Sequence, residues 1–534
     1  MKKKYGISDF LKSNWLWILL GIFFNFGFGY TKSVNAVYLQ KITDILEKGW
    51  QNQLIYFVVI GGALSFLSFV LRWLGAIVPK YLTEKLAYET RINLFHHLCN
   101  IPFIWYEANQ VGQLQSTIQN DSIQAGEILY IVISRIISNI FLFIFSVWIM
   151  AITNLQITVV AIIAVLAATA INQFILKGIK KYNIAAQQNL AEMTSSLEKT
   201  FSGIEIVKTA GAETYVIKDY QSKQNSYCEN KFKSALIGAL RTVWFGFTEH
   251  LCLYGSVLWL GILGINGDLT IGKVLMFIYL IKQIIMPIEM IFRWMEIIPD
   301  SIASSERISD IQKVQTEPKS IGTKVTADVK KIIYKNINYE YTGNAPVFID
   351  FSLALVRGKI VGLTGNSGSG KTTLLKILSG VYRCDKMEID IDGESVKEID
   401  TNNVAYAALD RAVFPISIYE NVVLGNSQIL KTTVIHYFDK LGFSSWLNNF
   451  ADGVDEIMNE NSLSGGERQT ITNIRALLSG REIIILDEPF SALDAMKEKY
   501  LISELQEVKK RKMILITSHR CTKTDLIDEI VSLD

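Results

Sequence analysis

Residues 365–373 read Gly365-Asn366-Ser367-Gly368-Ser369-Gly370-Lys371-Thr372-Thr373, and this stretch decides the fold around it. A glycine, four residues and then Gly-Lys-Thr is the spacing of a phosphate-binding loop. An apolar run, residues 360–363, precedes the stretch, and a helical pattern, residues 374–378, follows it. The glycines allow consecutive backbone N–H groups to turn around a polyphosphate, and the helix N-terminus adds partial positive charge. The alternative is a glycine-rich turn before an ordinary helix.

Individual positions of this loop predict a nucleotide site. We expect Lys371 to reach the β- and γ-phosphates and the Thr372 hydroxyl to ligate Mg²⁺. Upstream of the loop lies Tyr341, whose ring could stack on an adenine. An ordinary strand residue is the alternative for that tyrosine.

Two carboxylates follow a second apolar run. Residues 483–486 are Ile-Ile-Ile-Leu, and Asp487 and Glu488 come directly after them. A buried strand that ends in charge needs a partner or a metal, because an unpaired buried charge is costly. We therefore expect Asp487 to bind Mg²⁺ and Glu488 to act as the general base toward water. A third apolar run, residues 513–517, leads to His519, which we expect to contact a γ-phosphate rather than to be structural.

A second phosphate-binding stretch lies between these runs. Ser464, Gly465 and Gly466 precede a helical pattern and can offer a hydroxyl and backbone N–H groups to a phosphate. A serine-capped helix start is the alternative. Two such stretches in one domain of about 200 residues suggest two halves of a nucleotide site.

Composition indicates a membrane part. The chain has 534 residues, half of them hydrophobic, with a net charge of +2, which argues against a dedicated nucleic-acid binder. Its five cysteines contain no Cys-x-x-Cys pair, so neither a disulfide framework nor a zinc site is expected. Six long apolar runs occupy residues 15–37, 54–78, 131–151, 155–176, 243–265 and 271–292. Each is long enough to cross about 30 Å of hydrocarbon, and six together disfavour buried core helices.

The connections after the second and fourth runs are long, basic and helical in pattern. The positive-inside rule places them in the cytosol. About 25 helical residues would project nearly 40 Å and could touch a cytosolic ATPase, although solvated hairpins without a coupling role are the alternative. We predict a membrane domain at 1–311, a linker at 312–330 and an ATPase domain at 331–534. Lys32, Glu249 and Lys282 fall in predicted spans and are candidate cavity residues, unless Glu249 lies on a projecting helix.

The cytosolic half resembles the ATPase of the ATP-binding cassette (ABC) family, because Ser464-Gly465-Gly466 looks like that family's signature motif. The membrane half resembles the family's six-helix exporters. The resemblance implies an α-helical membrane domain of six transmembrane helices with long cytosolic extensions, plus an α/β phosphate-loop ATPase domain. It also implies a dimer in which each ATP lies between one chain's Lys371 loop and the other chain's Ser464 stretch, with Asp494 communicating across the dimer.

The expected function is therefore ATP-driven export of a peptide or other amphipathic cargo across the cytoplasmic membrane, with the ATPase in the cytosol. The partners would be a second half-transporter, membrane lipid and the cargo, and no nucleic acid. A lipid flippase or an ATP-gated membrane regulator is the alternative. The sequence departs from the family's pattern at Leu409, where the family normally has a glutamine that contacts Mg²⁺ and the attacking water. The intact Glu488, His519 and Ser464 stretch favours a homodimer, with a heterodimer as the alternative.

Leu409→Gln is expected to raise the basal ATPase activity of the purified homodimer several-fold. A missing polar contact to water or metal costs about 1–3 kcal/mol of transition-state stabilisation, or roughly ten- to a hundredfold in rate. Paired rates at saturating Mg-ATP measure the effect. An unchanged or lower rate would mean that neighbouring residues already supply the contact or that the local backbone has diverged too far for the glutamine to reach. Activity that appears only with a second, different chain would favour the heterodimer.

Overall fold

The structure is a computed structural model, and it divides the chain into two compact units. The first is Met1–Cys99 with Gly112–Lys313, and the second is Asn100–Val111 with Val314–Asp534. The residues that it describes are 7–48, 51–265, 270–295, 297–317, 322–341, 345–408, 413–458, 463–518 and 526–533. Each unit is described by itself below.

The first unit is built from long helices. They are α1 (Ile7–Ser13), α2 (Trp15–Lys48), α3 (Gln51–Leu98), α5 (Val111–Ser116), α6 (Ser122–Tyr130), α7 (Ser138–Thr153), α8 (Leu155–Ser202), α9 (Ile204–Thr209), α10 (Glu213–Ile265), α11 (Ile271–Met295) and α12 (Ile298–Lys313). Two π-helical segments, Thr117–Asp121 and Ile131–Ile137, join α5, α6 and α7 into one continuous rod. The 48 residues of α3 correspond to a rod of about 72 Å.

All six apolar runs fall on these helices, and so does most of the two basic connections. By length and apolarity, three helices of the described residues could cross a membrane: Gln53–Leu98, Val111–Thr153 and Ile271–Lys313. Pro79 lies inside α3 without ending it. The predicted turn after the third run is short, because α7 ends at Thr153 and Asn154 caps α8 by accepting a hydrogen bond from the Ile157 N–H at 3.1 Å.

Buried polar contacts fasten the helices of this unit to one another. Gln283 on α11 accepts hydrogen bonds from Ser33 on α2 and from Ser146 on α7, at 3.3 and 3.0 Å. Near the other end of α11, Arg307 on α12 forms a bidentate ion pair with Asp121, with Nη2–Oδ1 and Nε–Oδ2 distances of 2.6 and 2.9 Å. Gln283 lies within a predicted span, where lipid would offer no hydrogen bonds, so its contacts specify which helix faces meet there. Asp121 and Arg307 lie outside the predicted spans.

The second unit combines two β-sheets with short helices. Its strands are β1 (Lys331–Glu340), β2 (Pro346–Val356), β3 (Ile360–Thr364), β4 (Glu388–Ile391), β5 (Glu394–Val396), β6 (Val404–Ala407), β7 (Ile483–Asp487), β8 (Met513–Thr517) and β9 (Glu529–Ser532). Its helices are α4 (Phe103–Glu107), α13 (Lys371–Leu378), α14 (Ile418–Val423), α15 (Lys431–Lys440), α16 (Ser444–Leu447), α17 (Gly465–Leu478) and α18 (Ala495–Val508).

Strand order positions the functional edge of this unit. The larger sheet has the order β6-β7-β8-β3-β9, and its recorded pairings are parallel. Every residue of β7 and β8 is buried, as expected for apolar strands covered on both faces. Parallel strands end at the same edge, so the residues after β3, β7 and β8 meet there. The smaller sheet, β2-β1-β4-β5, is antiparallel.

Part of the predicted linker packs on the ATPase unit. Thr323 forms a β-bridge with Ile399, and Val325 is buried in the core beneath β1 and β2. The last residues predicted for the linker therefore belong to the folded second unit. At its start, α12 continues to Lys313, two residues beyond the predicted end of the membrane domain. The contact-based boundary falls between Lys313 and Val314.

Candidate functional site

The phosphate loop adopts backbone conformations that favour glycine. Gly368 and Gly370 have φ angles of +87° and +94°, in the left-handed region that side chains rarely adopt. At Gly370 a Cβ would also lie 2.8 Å from the Val347 side chain. The Lys371 ammonium donates hydrogen bonds to the carbonyls of Gly365 and Asn366, at 2.6 and 2.8 Å. Its charge therefore lies inside the loop, at the N-terminus of α13, where an anionic phosphate would be stabilised.

Tyr341 lies beside this loop. It follows β1, and its hydroxyl shares a 2.8 Å hydrogen bond with Thr373 in the first turn of α13. Tyr339 and Tyr382 pack around it, with ring centroids 5.4 and 6.0 Å from the Tyr341 ring. An aromatic surface thus lies next to the phosphate loop, as required for the predicted adenine contact.

The Asp487 carboxylate lies at the end of β7, across β8 from the loop. Asp487 is only 7% exposed. Oδ1 accepts a 2.6 Å hydrogen bond from the Thr517 hydroxyl, while Oδ2 is buried without a hydrogen-bond partner among the described residues. Burial raises the pKa of Asp487 above its ordinary value. A buried carboxylate oxygen with a free lone pair fits a hard divalent cation such as Mg²⁺, which keeps waters and substrate oxygens as its other ligands.

Glu488 has an unusual backbone. Its φ is +47°, which is uncommon for a residue other than glycine and is often found at functional sites. Its N–H donates to the Thr517 hydroxyl at 3.0 Å, and its carbonyl accepts from the Gln469 amide. Gln469, on α17, also accepts from the Ala492 N–H at 3.0 Å. One buried glutamine therefore holds both ends of the turn that contains Glu488.

Gly466 explains why α17 can approach this turn so closely. A Cβ at position 466 would lie 2.6 Å from the Ala492 carbonyl oxygen. Asn473, further along α17, donates to the Pro489 carbonyl at 3.2 Å. The helix that follows Ser464 is thus fastened to the turn after β7, which contains Glu488.

Ser464 and Asp494 act as helix caps within the chain. Ser464 accepts from the Glu467 N–H at 3.4 Å, and its own N–H donates to the Glu467 carboxylate at 2.7 Å, which completes a capping box. Asp494 caps α18 by accepting from the Met496 and Lys497 N–H groups. The Ser464 residue remains exposed. The serine-capped helix start, which was the alternative for Ser464, is thus present. The contacts expected of Ser464 and Asp494 across a dimer stay predictions.

Some of the remaining predicted residues lie outside the described part of the chain, and the others lie on the membrane helices. His519 and Leu409 lie outside the described residues, and so does the Glu249 side chain. Lys32 is half-buried, with its ammonium 5.7 Å from the centre of the Tyr279 ring, and Lys282 is exposed on α11. The two lysines thus lie on or against α11, and their predicted role in a cavity stays a prediction.

Residues outside the predicted set also converge near the phosphate loop, and they come from the connection between the second and third apolar runs. α4 belongs to the second unit, where Glu107 pairs with Lys376 of α13 at 2.6 Å and accepts a hydrogen bond from the Tyr382 hydroxyl. Burial opposes ionisation, but the hydrogen bonds from Lys376 and Tyr382 prevail and lower the pKa of Glu107. Lys376 is also 5.2 Å from the centre of the Phe103 ring. Tyr382 packs on Tyr341, so this contact adjoins the predicted adenine surface.

Two family models match the chain. The model described as ABC transporter transmembrane region matches residues 18–288, and the model described as ABC transporter matches residues 348–491. The chain therefore belongs to the ABC transporter family, as a helical transmembrane domain fused to an ATP-binding, ATP-hydrolysing domain. Half-transporters of this family generally form dimers.

Relatives are similar over most of their length. An ATP-dependent lipid A-core flippase of Pseudomonas fluorescens is 27% identical over 86% of this chain and 78% of its own. The alpha-hemolysin translocation ATP-binding protein HlyB of Escherichia coli is 24% identical over 94% and 72%. Among solved structures, a bacterial Atm1-family ABC exporter with ATP bound has a TM-score of 0.76 at 19% identity, covering 100% of this chain and 94% of that one. These similarities identify an ABC exporter and leave its cargo unspecified.

Tyr341→Ala is expected to raise the dissociation constant for Mg-ATP about five- to a hundredfold, because stacking of a base on an aromatic ring contributes about 1–3 kcal/mol. Tyr341→Phe keeps the ring and loses only the bond to Thr373, so it should stay within about threefold of the parent. Binding of a fluorescent ATP analogue, with ATP as competitor, measures both constants. Equal effects of the two substitutions would assign Tyr341 to the hydrogen bond alone.

Proposed function

We propose that two copies of this chain form a homodimeric exporter that uses ATP to move an amphipathic cargo across the cytoplasmic membrane. The observation that supports this most is the shared edge of the parallel sheet. There the Lys371 loop, Asp487 and Glu488 adjoin within one chain that also carries a helical membrane domain. The ATPase unit would face the cytosol, where ATP is available.

Each residue of the edge has a proposed role. Lys371 and the loop N–H groups would hold the phosphates, while Thr372 and the buried Oδ2 of Asp487 would hold Mg²⁺, which neutralises phosphate charge. Glu488 would take the proton of the attacking water, and His519 would contact the γ-phosphate. The exposed Ser464, with Gly465 and Gly466, would complete the site of the partner chain, and Asp494 would lie at the junction.

The Glu107 contact supports a path from this edge to the membrane helices. Asn100–Val111 packs with the ATPase unit, yet it is continuous with α3 on one side and α5 on the other. A shift of α13 or Tyr382 upon ATP binding would therefore pull on both helices through the covalent chain. We propose that Glu107, Lys376 and Tyr382 form this coupling contact.

The cargo is proposed only as a class. Relatives named as a lipid A-core flippase and as an alpha-hemolysin translocation protein differ in what they move, and both cover most of this chain. Long apolar helices with a few ionisable residues suit a cargo with an apolar part and a polar head. A flippase is therefore the second candidate, and a peptide with amphipathic character remains within the first.

Glu488→Gln is expected to lower steady-state ATP hydrolysis at least a hundredfold while ATP binding persists, because only the base is lost and Asp487 remains. Glu507→Gln, which alters an exposed carboxylate paired with Lys510, is the matched control. Phosphate release and ATP binding are measured on the same preparations. Hydrolysis by the Glu488 variant within threefold of the parent would remove Glu488 from the catalytic role.

Glu107→Gln is expected to reduce the ratio of cargo-stimulated to basal ATPase at least threefold, because it removes the ion pair with Lys376 and keeps the side-chain volume. Asp455→Asn, which removes the exposed ion pair with Lys431, serves as the control. The ratio is measured in proteoliposomes with a stimulating amphiphile. A ratio equal to that of the control variant would separate this contact from coupling.

A further inference from the structure

The charged residues inside the predicted spans are mostly basic. Basic side chains in these spans are Lys32, Arg72, Arg135, Lys273 and Lys282, and the acidic ones are Glu249 and Glu289. Glu289 has a basic neighbour of its own, Arg293, at 3.6 Å. Charged groups within a membrane are costly, so an excess of one sign requires a compensating partner.

Two of these residues, Arg72 and Arg135, form a cluster. Arg72, on α3, donates to the Ser134 carbonyl at 3.4 Å and to the Ser138 hydroxyl, and its guanidinium is 5.0 Å from the centre of the Phe28 ring. Arg135 directly follows Ser134 in sequence, so both arginines belong to the same junction between α3 and the segment Ile131–Ile137. Holding like charges together inside a membrane has no structural advantage by itself.

Arg135 is held between two aromatic rings. Its guanidinium lies 5.1 Å from the Tyr130 ring centre and 5.2 Å from the Trp294 ring centre, and Nη2 donates to the Tyr130 hydroxyl at 2.6 Å. Its Nε is buried and has no hydrogen-bond partner among the described residues. Cation–π contacts hold a guanidinium in place while leaving N–H donors at its edge for an anion.

Among the residues that the structure describes, neither arginine is paired with a carboxylate. Both residues are half-buried, so each keeps an accessible part. Arg135 also lies on the π-helical segment Ile131–Ile137, a distortion of the helix that is frequent at functional sites.

We propose that Arg72 and Arg135 bind the anionic head of an amphipathic cargo, a phosphate or carboxylate group attached to an apolar tail. Guanidinium groups suit these anions, because their paired N–H donors match two oxygens at once. The apolar surface of the surrounding helices would hold the tail. This inference rests on the proposed export function and specifies the chemistry of the cargo.

The test uses the purified full-length dimer and two lysolipids with the same acyl chain. Lysophosphatidic acid carries a phosphate monoester, and lysophosphatidylcholine carries a zwitterionic head. Native mass spectrometry in a neutral detergent measures binding, and ATPase rates in phosphatidylcholine nanodiscs measure stimulation. The parent protein should bind the anionic lysolipid at least tenfold more tightly. Equal binding of the two would overturn the proposal without any variant.

The double variant Arg72→Gln/Arg135→Gln should lose at least tenfold in affinity for lysophosphatidic acid and remain within threefold for lysophosphatidylcholine. Arg72→Lys/Arg135→Lys keeps the charge and should recover part of the affinity, while Lys80→Gln, an exposed residue on α3, is the control. If the arginines only fasten α3 to α7, both lysolipids would be affected equally, which would contradict the site.

Two further outcomes separate this proposal from the export function. Competition by inorganic phosphate alone, at the concentrations at which lysophosphatidic acid binds, would overturn the amphipathic assignment. Arginine-dependent binding of lysophosphatidic acid without any effect on ATPase would support the anion site and contradict its use in export. Equal stimulation by both lysolipids, independent of the arginines, would support export and contradict the anion site.

Discussion

The parallel register of β3, β8 and β7 is the constraint on which the ATPase unit depends. β8 pairs with both neighbours, so that Thr517 stands opposite Leu363 on one side and Asp487 on the other. That register brings the phosphate loop and the two carboxylates to one edge, although more than a hundred residues separate them in sequence. The Thr517 hydroxyl then fixes both Asp487 and the backbone of Glu488. A slip of one residue in either pairing would separate the phosphate loop from Asp487 and Glu488.

Local sequence patterns predict where the candidate residues of this edge lie along the chain, and the strand register brings the described ones together. Glycine spacing predicts the loop, and a carboxylate pair after an apolar strand predicts the metal side of the site. The ABC transporter family and its two-part fold were predicted and are confirmed by the family models. Contacts between distant segments could not be predicted from the sequence in the same way. The bonds of Gln469 to Glu488 and Ala492 span 19 and 23 residues, and the ion pair of Glu107 with Lys376 spans 269 residues, so no local pattern predicts these contacts.

In the membrane unit, too, local elements could be predicted from the sequence, whereas contacts between distant segments could not. Apolar length predicts the helices, because each must satisfy its own backbone in lipid, and all six runs are helical. Which helix faces meet depends instead on individual polar residues such as Gln283 and Asp121. Arg72 and Arg135 lie within predicted spans and could have been selected by charge alone, as Lys32 and Lys282 were. Their proximity became visible only once α3 and the segment before α7 were packed together.

The proposed sharing of each ATP site between two chains is tested most directly by mixed dimers. Lys371→Ala disables the loop, and Ser464→Asp keeps a good helix cap while its charge repels phosphate. Two kinds of tagged dimer are purified. In the first arrangement, one chain carries Lys371→Ala and the other carries Ser464→Asp. In the second arrangement, one chain carries both substitutions and the other is a parent chain. With shared sites, the first arrangement keeps one intact site, so its ATPase rate should be several-fold higher than that of the second. A higher rate for the second arrangement would mean that each chain completes its own site, which would contradict the account.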